Sequence, residues 1–352
     1  MTIGLPKIKV SFVEEGISAI KRGANGIVAL ILKDTKAGNY TIFDAEDIPA
    51  ELKEENKKYI ELALLGNTNT PAKVEVYTLT NDDNLTDALN YLESITFNYL
   101  AYPEVEESDK TAIKTWVDKV RRDFQMVKAV LSGTGFDSEA IINFTTDNIK
   151  VGDKTYTSKE YCCRIAGLLA GTDLKQSATH AVLEEVEDIP FIAKSELETK
   201  IGQGELILYK QYGKVKIARA VTSLKAIGEN KIEKFKKIKI SDIADLVVSD
   251  IVRVSNEEYI GKLPNDYDSK CLLITAISQY FEELAKDRLI EKKFTVGLDL
   301  EVQKKYIKSL GVDVSKLTDK EIKEYNTKDK VFLRIKITIL DAIEELELRF
   351  SI

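Results

Sequence analysis

One histidine stands in 352 residues, beside three cysteines, six prolines, two methionines and one tryptophan. The single histidine, His180, excludes any site built on two histidines of this chain. Within QSATHAVL it reads as a surface or hydrogen-bonding residue. Cys162 and Cys163 are adjacent and Cys271 is distant, so neither a disulfide framework nor a Cys-x-x-Cys zinc pair is present. Neighbouring side chains on a helix point about 100° apart, and the two read as buried, inert thiols in a reducing compartment. No apolar run approaches the roughly eighteen residues of a membrane span. The opening MTIGLPKIKVSFVEEG lacks the basic-then-apolar order of a signal peptide. The chain is therefore expected to be made in the cytoplasm without membrane insertion. A net charge of −7 argues against direct nucleic-acid binding.

Catalytic vocabulary is also missing. Gly133-Thr134-Gly135 follows an expected strand but lacks the third glycine of a dinucleotide loop and any Gly-Lys-Ser/Thr. There is no Gly-x-Ser-x-Gly elbow. Carboxylates fall in solvated runs at 44–55, 104–109 and 184–188, which select no acid/base pair. No catalytic residue, metal ligand set or cofactor is expected.

What is present is a chain that can bury a sizeable core, 44% hydrophobic and 31% charged. Its patterns predict a mixed α/β and α+β fold in five parts. Residues 1–20 carry an alternating strand with Ile8, Val10 and Phe12 on one face and no hairpin partner, which suits an arm. Residues 21–83, with IVALIL, YTIF and AKVEVYTL, read as a small β-rich domain. Residues 84–235 alternate helices and strands as an α/β body. In it Ser108 is positioned to cap a helix running through Ile113, Trp116, Val117, Val120 and Phe124. Thr157 and Glu160 form a capping box before KEYCCRIAGLLA. Residues 236–340 hold three helical patterns, the longest at 269–292, in a near-neutral α+β domain. The lysine-rich 231–239 reads either as a solvated linker or as a dock for an acidic protein surface.

The last 22 residues, VFLRIKITILDAIEELELRFSI, contain two alternating runs. Val331, Leu333, Ile335, Ile337 and Ile339 share one face, as do Leu346, Leu348, Phe350 and Ile352. Pattern alone does not choose between a hairpin closing its own sheet and a strand offered to another chain.

Three segments, RIAGLLAGTDLKQSATHAVLEEVEDI, ELILYKQYGKVKIARAVTSL and ITILDAIEELELRFSI, give the chain a family likeness extending over essentially its whole length. It resembles the contractile phage-tail sheath proteins, above all the compact sheaths of phage-like particles and R-type bacteriocins of Gram-positive bacteria. The resemblance implies a structural protein with no enzyme activity. Its copies would form stacked hexameric rings and a metastable helical polymer around a tail tube protein, meeting baseplate and terminator or collar proteins at the ends. The particle would be assembled in the bacterial cytoplasm and released. Ile8, Val10 and Phe12 would form one exchanged strand, and Leu346, Leu348 and Phe350 (in 341–352) the other. Leu333, Ile335 and Ile337 would belong to the receiving sheet, with DAIEE as the hinge. The 236–340 domain would face the tube, with Lys286, Arg288, Lys292 and Lys293 as candidate contacts. The competing expectation is an α/β nucleotide-binding enzyme with a C-terminal oligomerisation domain.

Overall fold

The computed structural model describes residues 26–80, 82–228 and 232–350. The expected arm at 1–20, with Ile8, Val10 and Phe12, lies outside the described residues. The chain forms two compact units. One runs to Ser249 and resumes at Asp341, and the other is Asp250–Leu340.

The first unit is organised on β1 (Ile27–Lys33), the unbroken apolar run IVALILK. It is the third strand of a seven-stranded sheet of order β2-β3-β1-β4-β5-β6-β9. The others are β2 (Gly38–Ile42), β3 (Lys73–Leu79), β4 (Tyr99–Ala101), β5 (Lys128–Leu131), β6 (Ile141–Phe144) and β9 (Glu205–Leu206). Six strands are parallel and β2 is an antiparallel edge. A parallel sheet covered on both faces needs apolar side chains on both, which is why β1 does not alternate with polar residues. Val28, Leu30 and Leu32 join one core with helices α1 (Glu54–Leu64) and α4 (Ser158–Ala170). Ala29 and Ile31 join the other with α2 (Leu85–Glu93) and α3 (Glu107–Arg122). Helices α1 and α4 approach closely at Gly167, where a Cβ would stand 1.9 Å from the Ala63 carbonyl oxygen.

The expected boundary at 83/84 is thus corrected. The strands of 21–83 are not a separate domain, because β1 pairs with β3 on one side and with β4 on the other. Two smaller expectations also change. Helix α3 is capped by Glu106 and Asp109 rather than Ser108, and it stops at Arg122, leaving Phe124 exposed with φ 65°. Two hairpins form, β7 (Ile149–Val151) with β8 (Lys154–Tyr156), and β10 (Leu208–Gln211) with β11 (Lys214–Ile217). In the second, Tyr212 and Gly213 take φ 51° and 77°, as a two-residue hairpin turn requires.

Helix α5 (Lys194–Gly202) precedes β9, and α6 (Ile238–Val254) carries the chain from the first unit into the second. The second unit contains α7 (Tyr267–Lys286), α8 (Leu300–Ser309) and α9 (Asp319–Glu324), with Phe281, Leu284, Ile307 and Ile322 buried. Helix α7 ends earlier than its apolar pattern suggests. Arg288 turns to φ 60° and the Leu289 N–H bonds the Leu284 carbonyl at 2.9 Å. That turn releases a strand the sequence did not reveal, β12 (Thr295–Leu298), which pairs antiparallel with β13 (Leu333–Lys336).

Candidate functional site

The C-terminal stretch separates into three physical regimes. Residues 332–340 lie along 289–299. The β12–β13 ladder is extended by N–H to carbonyl bonds from Asp299 to Phe332, Glu291 to Thr338 and Leu340 to Leu289, each 2.8–2.9 Å. The first alternating run therefore pairs within its own unit. Leu333 and Ile335 lie in β13 with their side chains half-buried, and Ile337 follows just beyond the strand end. Among the described residues, no other strand pairs with β12 or β13. Among the described residues, both outer edges of this two-stranded sheet thus lack a paired strand, beside apolar side chains that are only half covered.

The second regime is a root. At Asp341 the chain rejoins the first unit. Glu344 enters a cradle and retains 7% side-chain exposure. Its Oε1 accepts from Ser177 Oγ at 2.9 Å and from Thr179 Oγ1 at 2.7 Å. Its Oε2 lies 3.2 Å from Arg219 Nη2 and 3.1 Å from Lys237 Nζ. Lys237 also holds Asp341 at 2.5 Å, and Arg219 reaches Glu345 at 3.1 Å. Burial raises the Glu344 carboxyl, but the hydroxyl bonds and the Lys237 charge outweigh it and bring it down to about 2.

Backbone pairing sets the cradle. His180 and Ile217 are joined by the His180 N–H, Thr179 Oγ1 accepts from the Ala220 N–H, and Lys237 bridges Val221. Three extended segments are thereby knitted side by side before Glu344 arrives. The DAIEE segment, expected as a hinge, is held here at Asp341, Glu344 and Glu345. The acidic surface met by the lysine-rich 231–239 is this chain's own, through Lys237.

The third regime follows the root. Residues 341–350 form no strand. Leu346, Leu348 and Phe350 are 75%, 64% and 82% exposed. Three large apolar side chains at alternating positions are thus left in water beyond a carboxylate that is firmly held.

The remaining polar features are structural. Asp242 and Asp245 of α6 face the sheet, where Asp242 accepts from Tyr99 Oη at 2.7 Å and pairs with Lys128 at 2.9 Å. Asp245 takes a bidentate pair from Arg121 at 2.7 and 2.9 Å and also contacts Lys128. Burial raises Asp242, whereas Lys128 and Arg121 overcome burial and lower Asp245. The crevice beside this network, lined by Gly26, Asn98, Lys128 and Asp242, measures about 90 Å³. That is room for a few waters and is below the several hundred Å³ of a ligand site. It lies at the amino ends of β1, β4 and β5, whereas α/β ligands enter at the carboxyl ends. At Gly133-Thr134-Gly135 the Gly133 amide is already bonded to Asn143 Oδ1 at 3.1 Å. Among the described residues no His, Cys, Asp and Glu group is placed to hold a metal, and no helix is long and apolar enough to cross a membrane. Cys162 and Cys163 are buried, and burial pushes both thiols up.

The candidate tube residues follow one another at the end of α7. Lys286 pairs with Glu283, and Arg288, Lys292 and Lys293 are exposed.

Comparison with known proteins identifies the family. Residues 78–223 match the phage tail sheath protein central domain, and residues 230–352 the phage tail sheath C-terminal domain. The chain belongs to the phage tail sheath family. It is 43% identical over 352 residues to the tail sheath protein of Clostridium phage phiCD119, covering 98% of this chain and 99% of that one. The fold is similar to that of a sheath tail protein from Listeria innocua (TM-score 0.70, 17% identity, 85% of this chain and 94% of that one). It is also similar to the helical sheath of the anti-feeding prophage in the contracted state (TM-score 0.68, 14% identity, 93% of each chain). A tail sheath protein is a structural protein, and the nucleotide-binding enzyme reading is set aside.

The three segments that carried the resemblance meet in the cradle. Ser177 and Thr179 come from the first, Arg219 from the second, and Asp341 and Glu344 from the third. None of these five, nor Lys237, was singled out as a site residue by sequence. The one signal was the acidic break between two apolar alternations.

Proposed function

We propose that this sheath protein polymerises as stacked hexameric rings around a tail tube, each copy lending residues 345–352 to a neighbour's β12–β13 sheet. The exposed row Leu346, Leu348 and Phe350 supports this reading, because it matches the period of a strand while the described residues offer it no partner. Strand addition would satisfy the open edge with main-chain hydrogen bonds, and the half-buried Leu333 and Ile335 would set its register. Ile337 would extend the receiving edge. Ile8, Val10 and Phe12 are proposed as the second donated strand.

The sheath would be held in a metastable extended state and shorten without nucleotide hydrolysis, driving the tube through a target envelope. Lys286, Arg288, Lys292 and Lys293 are proposed to face the tube, where a salt-sensitive contact can break while the strands hold. The other partners would be baseplate and terminator or collar proteins. Assembly would take place in the bacterial cytoplasm, followed by release in a phage-tail-like particle.

Deleting residues 345–352 tests the reading. The truncated chain should stay folded by circular dichroism, because residues 345–350 add nothing to either described core, and should form no tubes by electron microscopy. Tubes of normal length from the truncated chain would overturn it.

A further inference from the structure

Chain topology gives Lys237 an unusual position. It immediately precedes α6, the helix on which the chain leaves the first unit, and it grips Asp341 and Glu344, the residues on which the chain returns. About one hundred residues therefore separate two points that a single ammonium group holds together. Glu344 adds two hydroxyl bonds and Arg219 a second cation, so the returning carboxylate has four partners on the first unit. None of the four lies in Asp250–Leu340, the stretch that Asp341 directly follows.

We propose that Lys237 and Glu344 form a clasp that roots the C-terminal arm on the sheet-bearing unit. The arm then follows that unit when a subunit moves, although the residues just before it are built into the β12–β13 sheet. The clasp also fixes where residue 345 starts, and with it the length of chain available to reach a neighbour. Glu344 is a positioning residue: it acts through the strand that follows. This inference rests on the strand-donation reading above.

The test uses the full-length protein with Glu344→Ala, Glu344→Gln and Lys237→Ala, and the 345–352 deletion as control. Hydrogen exchange of unassembled protein reports on the root, and light scattering on polymerisation. In Glu344→Ala, amides of 341–345 should exchange at least tenfold faster while peptides of the seven-stranded sheet are unchanged. Polymerisation should slow at least fivefold. Lys237→Ala should do the same to a smaller degree. Glu344→Gln keeps the acceptor for Ser177 and Thr179 but loses the charge. Its root should therefore be less sensitive to 1 M salt than the native root, a response that loss of fold would not produce. Unchanged exchange at 341–345, or a loosened root with native polymerisation, would overturn the clasp. If the deletion also polymerises normally, strand donation itself fails. If only the deletion blocks assembly, the clasp alone fails.

Discussion

At the residue scale, the C-terminal root depends on one carboxylate and the two buried aspartates of α6 on two cations. Against the burial that raises it, Glu344 is lowered from an ordinary 4.5 to about 2 by Thr179, Lys237 and Ser177, with Arg219, Asp341 and Glu345 alongside. A carboxyl lowered in the folded state contributes stability that is complete above its unfolded value and is lost as the pH falls toward the folded one. The root should therefore tighten between about pH 2 and 4.5 as pH rises, and be insensitive from there to neutrality. Hydrogen exchange of 341–345 across that range checks this, and an onset near neutral pH would contradict it. Glu344→Ala should cost on the order of 1–2 kcal/mol in urea unfolding, because Lys237 and Arg219 are a third exposed and regain water. Lys128 differs in kind. Its ammonium is almost fully buried between Asp242 and Asp245. Lys128→Met leaves the two carboxylates short of a partner and should cost about 3–5 kcal/mol in the same measurement. A loss under 1 kcal/mol would mean that the network does little to fasten α6.

At the element scale, the face of the terminal strand is testable by parity. Leu348→Asp puts a charge on the row that would be buried, whereas Glu347→Lys changes the opposite face. The first should reduce polymer yield at least tenfold and the second less than twofold, read by sedimentation. Equal losses would contradict the register. Much of the element pattern was legible in sequence because it follows from local periodicity. The IVALIL run and the capping box at Thr157 both formed where expected. The failures have non-local causes. The sheet could not be divided at 83/84 because β1 takes its two neighbours from opposite sides of that point, a pairing no local pattern encodes. Strand β12 was missed because TVGL is short and contains Gly297, so its alternation is lost beside the long apolar pattern of α7. The cradle was missed for a related reason. Its residues are ordinary polar side chains in their own segments and acquire meaning only when Ser177, Arg219, Lys237 and Glu344 converge.

At the scale of the whole molecule, the two units treat their sheets differently. In the first a parallel sheet is covered on both faces, and in the second a two-stranded sheet has no further strand paired to it among the described residues. Leu346, Leu348 and Phe350 then form an exposed apolar row that the described residues of neither unit cover. Left in water, such a row and such edges invite association. In a tail sheath protein that liability becomes the proposed means of assembly. The most direct test is a cryo-EM map of the assembled polymer. Residues 345–350 of one copy should run beside β12 or β13 of another, with Leu346, Leu348 and Phe350 on the face of Leu333 and Ile335. Density that folds those residues back onto their own chain, or lays them along β2 of the large sheet, would contradict the account.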